Sequence, residues 1–168
     1  MQNIAAELRN EPTAPAQGLG TLTVIVGLPA SGKSHFLDER RSSQNDPIVA
    51  HDFLAQSVTG LCRDALKFTD IALAINNGTN CIIADIAFCY ALKRQELEGE
   101  MTRRCPGVNV RYIYFENSPT RCIVNARYAN RHDTLRRIAL IEELSSGYEI
   151  RVEHGLFRFG MRIYVTNN

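Results

Sequence analysis

Apolar positions along the chain fall into runs of two kinds, and the two kinds alternate. The segments TLTVIV (21–26), PIVA (47–50), NCIIAD (80–85), NVRYIYF (109–115) and MRIYV (161–165) are short and rich in β-branched or aromatic residues. Most are almost continuously apolar, as strands covered on both faces are. Between them, residues 33–41, 54–77, 90–104 and 118–147 carry apolar residues at helical spacing. Gly60, Asn77-Gly78, Cys105-Pro106-Gly107 and Gly147 punctuate these stretches. Strands alternating with helices predict an α/β domain over 21–168, a five-stranded parallel sheet wrapped by helices on both faces. Residues 1–20, which include NEPTAPAQGLG, read as a flexible lead-in with a short helix near 4–9. No internal repeat is visible.

The junction of the first strand and first helix changes the picture most. GLPASGKS fits the pattern GxxxxGK[ST] at Gly27, Gly32, Lys33 and Ser34. Glycines let backbone N–H groups turn onto phosphate oxygens, and the helix that follows adds the positive end of its dipole. The contacts expected for a nucleoside triphosphate run over Gly27, Leu28, Pro29, Ala30, Ser31, Gly32, Lys33, Ser34 and His35. Lys33 would reach the β- and γ-phosphates, and the Ser34 hydroxyl would join a Mg²⁺ shell.

Three further positions bear on where a phosphoryl group would go. Asp52 follows the second strand, at the edge where open α/β sheets place ligands. It suits either a helix cap for 53–59 or a base that takes the proton of an acceptor hydroxyl. Asp85 closes CIIAD, where a strand-end carboxylate holds Mg²⁺ directly or through water. Arg127 and Arg131 stand four apart, so they share one helix face. They are either solvated surface cations or a pair that closes over a triphosphate and stabilises its transition state. Arg121, Arg136 and Arg137 show no comparable placement and read as surface residues.

Composition narrows the class without naming a substrate. The 168 residues are 45% apolar and 22% charged, with a formal charge of +1. That balance gives no electrostatic case for bulk nucleic-acid binding. Arginine outnumbers lysine sixteen to three, which supplies planar forks suited to phosphate. Cys62, Cys81, Cys89, Cys105 and Cys122 form no CxxC pair and read as reduced thiols of a cytoplasmic protein. No apolar run approaches the roughly 20 residues that span a bilayer, and no signal peptide is apparent.

With these motifs in order, the chain resembles the P-loop kinases related to polynucleotide 5′-kinase, and more distantly the zeta-toxin and chloramphenicol-phosphotransferase groups. GLPASGKS, VAHDF, CIIAD and FENSPTRCIVNARYANR carry the likeness, over about residues 21–132. The resemblance implies a P-loop NTPase three-layer sandwich with strand order 2-3-1-4-5. It also implies transfer of the γ-phosphoryl group of Mg-ATP to an acceptor hydroxyl: a nucleic-acid 5′ end, a nucleoside or another small alcohol. Asp52 would activate that hydroxyl, and Arg127 and Arg131 would contact the ATP phosphates. Two departures stand out. Asp85 precedes IAF where the family often has a small polar pair, and His51 replaces a basic residue common before the acceptor-site Asp. His51 suits a plain turn or an acceptor phosphate. Only Arg63 and Lys67 supply cations between Asp52 and the third strand. A nucleotide-dependent switch that hydrolyses ATP slowly is the alternative, though no NKxD-type guanine reader is present.

Overall fold

The computed structural model describes residues 18–41, 48–54, 67–148, 150, 155–158 and 161–167, the last two segments as backbone only. The short helix expected near 4–9, most of the cap helix over 53–59, and Cys62 and Arg63 lie outside these residues. Four strands build the parallel part of the sheet: β1 (Thr21–Val26), β2 (Ile48–Ala50), β3 (Cys81–Ala84) and β4 (Asn109–Phe115). Their order is β2-β3-β1-β4, with Val24 of β1 level with Ile83 on one side and Tyr112 on the other. β1 is central, and Leu22, Val24, Ile25 and Val26 are wholly buried, which is why its sequence has no polar face.

The helices are α1 (Lys33–Arg41), α2 (Phe68–Asn76), α3 (Ala91–Arg104), α4 (Pro119–Tyr128) and α5 (Thr134–Gly147), with a 3₁₀ turn at Ile86–Cys89. Two stretches read at helical spacing do not run through as one helix. Over 54–77 the chain is extended at Lys67 (φ −103°, ψ 165°), and the Asp70 carboxylate accepts the Lys67 N–H to open α2 afresh. Over 118–147 the helix stops at Tyr128, and Asn130 takes φ 42° before α5 begins. Asparagine tolerates that left-handed conformation better than most residues with a Cβ.

The expected fifth parallel strand is also corrected. β5 (Gly155–Arg158) and β6 (Met161–Asn167) complete a six-stranded sheet, and β6 pairs antiparallel with both β4 and β5. The cause lies in α5 and in the β5–β6 hairpin that follows it. A parallel partner for β4 needs a crossover that returns the chain to the strands' amino edge. Instead both ends of α5 stay at the carboxyl edge. Arg136 and Arg137 at its start line a cleft with the β1–α1 loop. Just past its end, Tyr148 Oη lies 3.1 Å from Val26 O and 2.5 Å from Phe115 O, the last carbonyls of β1 and β4. Gly155 of β5 is level, through Tyr164, with Tyr114 near that edge; β5 runs the way β4 does, and its hairpin with β6 sends β6 back against β4.

Cys81, Cys89, Cys105 and Cys122 are buried free thiols. Among the described residues no helix is long and apolar enough to cross a membrane.

Candidate functional site

The loop between β1 and α1 is shaped by two tight requirements. A Cβ on Gly27 would stand 2.8 Å from Phe115 Cβ and 2.9 Å from Ser31 Oγ, so only glycine fits without displacement. Gly32 takes φ 98° at the entry to α1, and Ala30 also lies at positive φ (59°). Between them Ser31 N–H donates to Leu28 O at 3.2 Å. The amides opening α1 have no acceptor within the helix, since the first such bond here is Phe36 N–H to Gly32 O. Gly27→Ala is expected to cost about 1–3 kcal/mol through this overpacking. A lowered thermal midpoint in that variant, with Gly99→Ala on the open surface of α3 as the control, checks it.

The loop forms one wall of a cleft of about 520 Å³ at the carboxyl edge of the sheet. Pro29, Ala30, Ser31, Gly32, Lys33 and Ser34 line it, whereas Gly27, Leu28 and His35 do not. Leu28 is buried beneath the loop, and His35 is exposed, with Nε2 3.8 Å from Glu39 Oε1. Ser31 is 2% exposed, and its Oγ has no hydrogen-bond partner among the described residues. Such a buried orphan hydroxyl beside helix-end amides suits an anionic ligand.

Lys33 Nζ donates to Gly27 O at 2.5 Å and Leu28 O at 2.7 Å. Burial lowers its pKa, and the nearby carboxylates of Asp52 and Asp85 act in the opposite sense. Cys89 and Cys122 also lie close enough to influence Lys33, and burial pushes each thiol up to about 11. Neither thiol is therefore ionised near neutral pH.

Asp52 reaches the same cleft from the end of β2. It is exposed and holds φ 48°, an uncommon conformation for a residue with a Cβ. Asp85 does not line the cleft. It is 3% exposed, its Oδ1 accepts the Ala87 N–H at 2.8 Å, and its Oδ2 accepts the Leu54 N–H at 2.8 Å. The first of these bonds caps the 3₁₀ turn.

The arginines are rearranged relative to expectation. Because α4 stops at Tyr128, Arg127 and Arg131 do not share a helix face. Arg131 lines the cleft and Arg127 does not. Arg136 and Arg137, read from sequence as surface residues, line it from α5. Arg137 Nε donates to Asp133 Oδ2 at 2.9 Å, and this guanidinium holds the Asp133 carboxyl below its usual range. The i, i+4 spacing of Asp133 and Arg137 was the available signal for their pairing, but it is silent on the cleft. Asn125, also missed, donates through Nδ2 to Ala30 O at 3.1 Å and ties α4 to the loop. Four cationic side chains (Lys33, Arg131, Arg136, Arg137) thus surround the cleft against two carboxylates, Asp52 and Asp133. Should the cleft turn over a nucleoside triphosphate, Arg131→Ala is expected to reduce that turnover about a hundredfold. Arg127→Ala should stay within about twofold, and steady-state kinetics on both variants separates the two arginines.

No protein-family model matches the chain. Over 130 residues it is 27% identical to the uncharacterized protein R277 of Acanthamoeba polyphaga mimivirus, an alignment covering 77% of this chain and 86% of that protein.

Proposed function

We propose that this is a P-loop NTPase-type kinase that moves the γ-phosphoryl group of ATP to an acceptor hydroxyl. The observation that carries the reading is that one cleft holds both the loop with Lys33 and, from a different strand, the carboxylate of Asp52. A phosphate-holding surface and a proton acceptor are the two parts phosphoryl transfer most needs from a protein.

The residues fit a triphosphate. The opening amides of α1 and the orphan Ser31 Oγ offer donors to its oxygens, and Lys33 lies within reach of its outer phosphates. Arg131, Arg136 and Arg137, which also line the cleft, supply further positive charge. For Mg²⁺ the fit is narrower. The Ser34 hydroxyl lines the cleft, whereas both Asp85 oxygens accept backbone N–H groups. Mg²⁺ held beside Ser34 would screen the phosphate oxygens during transfer.

Asp52 receives the acceptor proton as the acceptor oxygen bonds to the γ-phosphorus. The bond from that phosphorus to the bridging oxygen breaks, and ADP leaves with the bridging oxygen and its electron pair. Lys33 and the cleft arginines stabilise the charge on the moving group. The buried free thiols are consistent with the reducing cytoplasm as its compartment.

The test is ADP release from Mg-ATP, alone and against 5′-hydroxyl oligonucleotides, nucleosides, sugar nucleotides and antibiotic-type alcohols. Stimulation by one class, with phosphate recovered on that acceptor, is the expected result. Tight ATP binding with slow ADP release that no acceptor changes would favour the switch instead.

A further inference from the structure

The Asp52 turn is pinned on both flanks. Phe53, immediately after it, is fully buried with its ring edge-on to Phe68 at 5.0 Å. His51, immediately before it, has Nε2 3.7 Å from Asp38 Oδ1 on α1. Leu54 donates its N–H to Asp85 Oδ2, a bond that spans 31 positions of sequence and joins the turn to the end of β3. Between these flanks Asp52 alone is exposed, at φ 48°. Aspartate tolerates this left-handed conformation better than most residues with a Cβ, and the contacts on either side hold the turn that adopts it.

We propose that Asp85 is a positioning residue for Asp52: by accepting the Leu54 N–H, its carboxylate holds the turn that presents Asp52 to the cleft. The consequence for turnover rests on the kinase reading above, whereas the brace itself does not. A direct metal ligand at this position would turn its oxygens toward the phosphates. Here one oxygen serves the Asp52 segment and the other caps the following 3₁₀ turn. Because Ala87 N–H occupies Oδ1, the carboxylate cannot rotate toward the cleft without giving up both bonds.

Asp85→Asn preserves size but leaves one acceptor oxygen for two N–H donors, with an NH₂ group facing one of them. In the full-length protein, the Leu54 amide should exchange hydrogen slowly, and at least tenfold faster in Asp85→Asn. Turnover with the best acceptor should fall about tenfold. ATP affinity and the Mg²⁺ concentration for half-maximal activity should stay within about twofold. Added to Asp52→Asn, Asp85→Asn should cost less than about twofold more, because the group it positions is already disabled.

A tenfold shift in the Mg²⁺ requirement, or rescue by excess Mg²⁺ or Mn²⁺, would overturn the proposal in favour of a direct ligand. Fully multiplicative losses in the double variant would also overturn it, as would unchanged exchange at Leu54. Should Asp85→Asn lose cooperative melting, the wild-type protein decides: a rapidly exchanging Leu54 amide sinks the brace. If the wild-type protein phosphorylates no acceptor, the kinase reading fails while the exchange measurement still tests the brace.

Discussion

Lys33→Ala should bring phosphoryl transfer down by about three orders of magnitude or more while leaving the fold intact. Lys33 lines the cleft, and its ammonium is held by Gly27 O and Leu28 O. Removing it deletes the one cation that belongs to the loop itself. Electrostatic groups aimed at charge developing in a transition state are worth about a hundredfold to a thousandfold each. Comparable cationic contacts in phosphoryl transfer reach higher values. The fold should tolerate the change because the bonds Lys33 donates go to two carbonyls of its own loop, and its burial already works against its charge. Thermal melting should therefore move little or upward, while turnover collapses. Full activity in Lys33→Ala would end the phosphate-loop account.

Arg136 adds a contrast to that variant. It lines the cleft from α5, yet its position gives no hint of this in sequence, because the path of α5 is a tertiary fact. Helical spacing reports which residues of a segment share a face, not which edge of the sheet the segment crosses. The same limit explains the sheet. Apolar runs located all four parallel strands, and the order 2-3-1-4 stands. The direction of Met161–Asn167 follows from its hairpin with Gly155–Arg158, a pairing that hydrophobic pattern does not encode. Gly155–Arg158 is a four-residue strand whose flanks carry glycine and charge, so periodicity had little to register.

Within the site, what was legible was local. The β1–α1 loop shows itself in eight consecutive residues because glycine, lysine and serine are all demanded by one geometry. Asp52 was legible as a strand-end carboxylate, with its alternative roles undecided. Arg127 and Arg131 misled because their spacing assumes a continuous helix, and Asn130 at φ 42° breaks it. Asp85 is ambiguous in another way. A strand-end aspartate has the same sequence signature whether it serves a metal or a backbone amide, and here its oxygens accept the Leu54 and Ala87 N–H groups.

Asp52→Asn is the variant that separates the catalytic reading from a structural one. Asparagine is nearly isosteric and is at least as tolerant of positive φ, so the turn at φ 48° should survive. Phe53 would stay in the core and Leu54 would keep its bond to Asp85, since neither depends on the Asp52 side chain. What disappears is the capacity to take a proton. ATP affinity should stay within a few fold, because the loop and the arginines that hold phosphate are untouched. Loss of one carboxylate from a cationic cleft should, if anything, tighten it. Turnover with the acceptor should fall by about a hundredfold or more, the usual scale for a positioned acid–base group. Binding by calorimetry and turnover under saturating ATP, measured on one preparation, give the two numbers. Unchanged turnover would reduce Asp52 to a turn former. A matched loss in both affinity and turnover would mean that the side chain shapes the cleft rather than acting on the acceptor. Only the split result, affinity kept and turnover lost, fits a carboxylate whose work begins once both substrates are bound.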